Sequence, residues 1–287
     1  MTTLLPPSRL PAGLSIGPVE LAVNDLQRSV TFYGQVLGLV VQEHTPVTAT
    51  LGAGPRPLVR LTEVPGAAPA PVGSTGLYHL AMLLPTRADL ARWVRHVSAL
   101  GLRVGQSDHL VSEAFYLTDP DGHGIEVYRD RPRNEWRWTL DQVQMASDPI
   151  DIPDLLAEAG PEPYSHAPES TVMGHVHLRV SDLGPTETFY RTVLGFDVVA
   201  RWPGALFVSV GGYHHHLGLN TWQSEGGKAA PDGTTALRNV DLTLPRQTDI
   251  DALASRLTAA GHAFTLERDS LIVTDPAGNR LTFATPQ

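Results

Sequence analysis

Apolar residues at every second position open both halves of the chain. Val19, Leu21 and Val23 alternate with polar or small neighbours, as do Val176, Leu178 and Val180, and each run predicts a half-buried strand. Each strand then meets an acidic residue, Asp25 or Asp182, suited to cap a helix that carries a Phe-Tyr pair and closes on Leu-Gly. Residues 17–41 and 174–198 align without a gap at an offset of 157 positions, with about half the residues identical. A shorter echo links 77–85 (LYHLAMLLP) to 237–245 (LRNVDLTLP), each leading into a predicted helix. Thr86 with Asp89, and Thr248 with Asp251, have capping-box spacing, and Gly101 and Gly261 stand where a left-handed residue closes a helix. Hairpins follow at 117–128 (LTDPDGHGIEVY) and 273–284 (VTDPAGNRLTFA).

These patterns predict an α+β fold of four tandem modules, each a strand, a helix and three strands, at 16–64, 77–129, 173–222 and 236–285. Two tandem domains are expected, 14–130 and 172–287, joined by a linker at 131–171 with a short helix near 152–159, while 66–76 is a flexible connector. A single sheet of this type leaves one apolar face uncovered, so modules should pair around a curved cavity.

Composition narrows the chemistry. The 287 residues suffice for a sizeable core, and 26 Gly with 24 Pro fit a turn-rich, strand-rich fold. With 21 Lys and Arg against 30 Asp and Glu, the net charge of -9 argues against nucleic-acid or anionic-membrane partners. The absence of cysteine excludes disulfides, thiolate nucleophiles, iron–sulfur clusters and cysteine-bound zinc, so any metal must sit on His, Asp or Glu. Residues 1–18 are Pro-rich, carry Arg9 as their single charge and lack the pattern of a leader, and no long apolar run occurs, so a cytoplasmic location is expected.

The internal duplication separates residues that serve the fold from those free to serve a site. His79 aligns with Asn239, Glu126 with Thr282, and His175 with Pro18. The two inner modules thus hold two imidazoles and a carboxylate where the outer modules hold poor ligands. Taken alone, His79 reads as a core histidine, Glu126 as a solvated strand residue and His175 as a strand cap. Together, all on strands, they form the two-His, one-carboxylate set expected for non-heme Fe(II). Further on lies the run His214-His215-His216, where alternation puts His215 opposite its neighbours. Trp202, Phe207 and Trp222 are possible cavity walls.

The stretch DHLVSEAFYLTDPDGHGIEVYRDRP, with GHVHLRVSDL and HHHLGLN, resembles the vicinal oxygen chelate superfamily, and within it extradiol ring-cleaving dioxygenases of the catechol 2,3-dioxygenase type. The resemblance covers nearly the whole chain in module order. It implies that Glu126, His79 and His175 hold Fe(II), with Mn(II) accepted by the same ligands. It further implies that His215 is the acid/base, that Tyr116 faces substrate and that His109 stands behind it. The implied substrates are O2 and a catechol or hydroquinone, with a homodimer as the default assembly. Two-domain members of the family place the site in modules three and four. Here the ligands fall in modules two and three, leaving open whether these pair within one chain or across a dimer. A glyoxalase-like isomerase or lyase on this fold would want a second carboxylate, and 198–224 contains none. A metal-free drug binder would not need His79, Glu126 and His175 together.

Overall fold

The structure, a computed structural model, describes residues 10–286; residues 1–9, half of the segment read above as lacking a leader, lie outside the described residues, as does Gln287. All four modules form the expected elements. Module one holds β1 (Ser15–Val23), α1 (Leu26–Leu37), β2 (Val40–His44), β3 (Thr48–Ala53) and β4 (Arg56–Glu63). Module two holds β5 (Gly76–Leu83), α2 (Arg87–Ala99), β6 (Gly105–Asp108), β7 (Ser112–Thr118) and β8 (Gly124–Asp130). The linker contributes the short α3 (Ile152–Ala157). Module three holds β9 (Val172–Arg179), α4 (Leu183–Glu187, continuing in π geometry over Thr188–Leu194), β10 (Asp197–Trp202), β11 (Ala205–Ser209) and β12 (Leu217–Asn220). Module four holds β13 (Leu237–Thr243), α5 (Gln247–Ala259), β14 (Phe264–Glu267), β15 (Ser270–Thr274) and β16 (Arg280–Ala284).

Two eight-stranded sheets result, and each draws one module from either side of the linker. The outer sheet runs β14-β15-β16-β13-β1-β4-β3-β2 and the inner one β10-β11-β12-β9-β5-β8-β7-β6. At each seam the first strands of two modules pair antiparallel, β1 with β13 and β5 with β9. Both partners of the inner seam belong to one chain.

Local chemistry explains the helices. Asp25 caps α1 by accepting from the Arg28 amide at 2.9 Å, and Gly38 closes it at φ 70°, where a side chain would be strained. Its buried face is Leu26, Ser29, Tyr33, Val36 and Leu37, and burial of Leu26 and Leu37 stabilises by about 1.5–3 kcal/mol each. Thr86 caps α2, accepting from the Asp89 amide at 3.1 Å. Thr248 does not cap α5. That helix begins at Gln247 after Arg246, whose guanidinium takes the Asp249 carboxylate at 2.9 Å, so Thr248 is already inside the first turn.

Modules within one half are joined through their helices and hairpin turns. The Tyr33 hydroxyl donates to Asp119 at 3.1 Å, and Tyr190 donates to Asp275 at 2.9 Å. Each carboxylate also receives the amides of its own turn, from Asp121 and His123 or from Ala277 and Asn279. Burial alone would raise the Asp119 carboxyl pKa, but the hydrogen bond and charge of His123, 2.8 Å away, bring it below the usual value. With Asn279 in that place, burial wins and the Asp275 carboxyl is raised. A depressed native pKa means that the stabilisation is fully present above the unfolded-state pKa and lost as pH falls through the native one. Asp119→Asn is therefore expected to destabilise by about 1–3 kcal/mol at neutral pH. The gap from wild type, read as urea midpoints, should close below about pH 4. A gap of equal size at acid pH would rule out a role for the charge.

Candidate metal centre and cavity

The inner sheet sets its polar side chains in rows. In the register, His175 lies opposite Ala81, Ala81 opposite Glu126 and Glu126 opposite Tyr116, while His79 stands two residues from Ala81 on the same face. The small, fully buried Ala81 lets the longer side chains of the flanking strands close over it. His79, Glu126 and His175 are all buried, and their ligand atoms lie within 4.8 Å of one another. Glu126 Oε2 is 3.0 Å from His79 Nε2 and 3.2 Å from His175 Nε2. Two donors each about 2.1 Å from one cation, at right angles, would stand about 3 Å apart.

Further observations make the trio a fit for a cation. Although His79 Nε2 approaches the carboxylate closely, it is not aligned for a hydrogen bond and has no such partner, so a buried lone pair or N–H is left over. Burial lowers the His175 pKa to about 4 despite the neighbouring carboxylate, which keeps that imidazole neutral at neutral pH. Burial alone would raise Glu126, yet His175 and His79 hold it well below the usual carboxylate range, hence ionised. A neutral imidazole beside a carboxylate is the state a metal takes up. At the equivalent places of the outer sheet, Thr282 donates to Asn239 at 2.9 Å, and a neutral pair satisfies itself.

The trio opens on a cavity of about 590 Å³. His109 and Tyr116 lie along it, and their tautomers follow from their partners: the Ala146 carbonyl accepts from His109 Nδ1 at 2.6 Å, leaving Nε2 to accept the Tyr116 O–H at 2.6 Å. Burial, and secondarily Glu126, raises the Tyr116 pKa well above the phenol range, so the ring stays protonated. Its oxygen keeps lone pairs for a ligand hydroxyl.

The three consecutive histidines precede β12 rather than forming strand, and they part company. His215 lines the cavity, with its ring centroid 4.1 Å from that of His175. His214 is completely buried and donates from Nε2 to Asp130 at 2.8 Å, leaving its Nδ1 to accept from His215 Nδ1 at 2.9 Å. This chain leaves His215 Nε2 as a free lone pair. Burial first, then the surrounding imidazoles, holds the His215 pKa well below the usual value. His216 turns away to Ser209 Oγ at 2.8 Å. Trp202, Phe207 and Trp222 line the cavity, the two tryptophans being largely exposed at its rim.

Several cavity residues have no place in the sequence reading: Tyr78, His177, Arg179 and residues 145–147 of the linker. His177 pairs in register with His79, and its Nε2 is buried without a hydrogen-bond partner. Its ring occupies space that only glycine leaves at 218, where a Cβ would stand 2.7 Å away. The signal for His177 was its spacing, two residues after His175 on the same strand face. No sequence signal marks the Ala146 carbonyl.

Paired strand–helix–strand modules with a His-Glu-His cluster on the concave face define a metal-site class of fold, and comparison gives the family. The chain belongs to the Glyoxalase/Bleomycin resistance protein/Dioxygenase superfamily, which it matches over residues 15–127 and 172–283. It is 43% identical over 274 residues to the catechol-2,3-dioxygenase of Bacillus subtilis (strain 168), covering 93% of this chain and 96% of that one. Among solved structures, it resembles a Bacillus subtilis protein described as a candidate dioxygenase, with a TM-score of 0.71 at 14% identity, covering 97% and 86% of the two chains. Glyoxalase I from Zea mays has a TM-score of 0.58 at 17% identity over 95% and 92%. At those identities the structures speak for the fold alone.

Proposed function

We propose that this chain is an Fe(II)-dependent extradiol dioxygenase that opens the ring of a catechol or substituted catechol or hydroquinone with O2, Mn(II) being the other metal suited to the same donors. The observation that carries the reading is the buried His79–Glu126–His175 cluster, whose donors face a cavity that also presents Tyr116 and the free nitrogen of His215. The extensive likeness to a catechol-2,3-dioxygenase supports it. The cavity is lined by one carboxylate, Glu126, among the described residues, which disfavours a glyoxalase-like reaction needing two.

His79, Glu126 and His175 would hold the metal, which when bound supplies the Lewis-acid and redox coupling between diol and oxygen. The protein does the rest. His215 Nε2 accepts a proton from a diol hydroxyl and returns it to an oxygen of the opened product, a two-way role for which a neutral imidazole backed by His214 and Asp130 is arranged. The Tyr116 oxygen, fixed by His109, accepts a hydrogen bond from the substrate and orients the ring. Phe207 gives the ring a buried apolar wall, and Trp202 and Trp222 add apolar surface at the rim.

Anaerobic purification, iron assay and oxygen uptake with catechol, while following the absorbance of a yellow ring-fission product, test the proposal. One molecule of O2 consumed per catechol is the expected result. Tyr116→Phe and His109→Phe should keep the iron and lose roughly ten- to a hundredfold in turnover. Iron-loaded protein that consumes no oxygen with catechol, a methylcatechol or hydroquinone would overturn the reading.

A further inference from the structure

Among the described residues Arg179, at the end of β9, lines the cavity without an acidic partner. His175, His177 and Arg179 alternate along β9 and share its concave face, and all three line the cavity. Arg179 Nε is buried with no hydrogen-bond partner, and among the described residues no carboxylate bears on the guanidinium. The Tyr78 ring centre lies 5.5 Å from the guanidinium carbon, a cation–π contact that holds the side chain at the cavity without supplying a counter-charge. Asp121, the acid in the adjoining pocket that Arg179 also lines, is already bonded to Arg28 at 2.7 Å. A partly buried arginine with an unmet Nε–H, in a chain of net charge -9, is suited to receive an anion.

Along the strand, Arg179 stands about 13 Å beyond His175, farther than a bare catechol extends. The guanidinium packs on Tyr78, whose ring in turn touches that of His79, so it is set to meet a ring substituent and not the diol. Trp222 stacks on the same Tyr78 ring, and Gln223 lines both pockets that Arg179 lines.

We infer that Arg179 makes this cavity selective for aromatic diols carrying a short acidic arm, the guanidinium pairing with the substituent's carboxylate. The assignment of the ring as a diol rests on the dioxygenase reading; the anion site itself does not.

The test compares dihydrocaffeate with its primary amide, a neutral isostere, as probes of the iron-loaded protein under anaerobic conditions, with tryptophan fluorescence reporting binding. Phenylpropanoate, which lacks the diol, is titrated in parallel. Wild type should bind dihydrocaffeate roughly tenfold or more tightly than the amide. Added salt should weaken that preference, Arg179→Gln should abolish it, and Arg179→Lys should restore part of it. Phenylpropanoate affinity should fall in the same order. A wild-type preference of less than twofold, or one that survives in Arg179→Gln, overturns the inference; if Arg179→Gln does not fold, the wild-type ratio, its salt dependence and Arg179→Lys decide. Oxygen uptake with plain catechol is scored separately. Uptake without acid preference sinks this inference alone, and acid preference without uptake on any diol sinks the dioxygenase reading alone.

Discussion

Glu126→Gln is expected to give a folded protein that no longer retains its metal. The carboxylate is the single anionic donor in the cluster, and its shape is preserved in the amide, so the change removes charge and little else. Changes to groups behind a ligand commonly cost metal sites ten- to a hundredfold; loss of the ligand itself should exceed about a hundredfold in affinity, with turnover falling at least as far. Stability separates this from a structural role. In the metal-free protein Glu126 is a buried carboxylate beside the neutral His175 imidazole, so a neutral amide of equal volume removes the desolvation cost of a buried charge. Metal-free Glu126→Gln should thus melt no lower than metal-free wild type, while the rise in Tm that iron gives wild type should vanish. A variant with wild-type iron content and oxygen uptake would refute the assignment, and His79→Ala provides the parallel check.

His215→Gln should do the opposite, retaining iron while turnover drops about 10²–10⁴-fold, the range for loss of a positioned acid/base. The glutamine still fills the place beside His175 and Phe207, so the cavity wall survives. Asp130→Asn should fall between this and wild type. Its carboxylate accepts from His214 Nε2, and through that contact it sets which His215 nitrogen is left bare. An amide that turns its NH2 toward His214 would reverse both imidazoles and cap the reactive nitrogen with a proton. Rapid-mixing measurement of ring-fission product formation reads the step directly. A His215→Gln rate equal to wild type rules out the proton role.

The fold was legible because duplication writes each module twice: the strand-Asp-helix pattern at Asp25 and Asp182, and the Asp-Pro turns at Asp119 and Asp275, mark corresponding elements before any coordinates exist. The candidate cluster was legible for the complementary reason, since His79, Glu126 and His175 break the repeat, and the fold brings the three together. Periodicity could not say which strands would meet; the seam between β5 and β9 depends on which faces are covered, a property of the assembled chain. Thr248 misled because the ion pair from Arg246 to Asp249 starts α5 earlier than its Thr-x-x-Asp spacing suggests. Arg179 left no trace, since one arginine at the end of a strand is ordinary until its side chain is seen to line the cavity. The Ala146 carbonyl that orients His109 is a backbone atom, and no residue type announces it.

The crossed seam also governs when the His-Glu-His cluster can be completed. His79 and Glu126 precede the linker and His175 and His215 follow it, so a nascent chain carries an incomplete set of donors until β9 has emerged and docked on β5. On the proposed reading, iron would thereby find no complete site on the ribosome-bound half, and one proteolytic cut between the halves, followed by their separation, would disarm the protein in a single event.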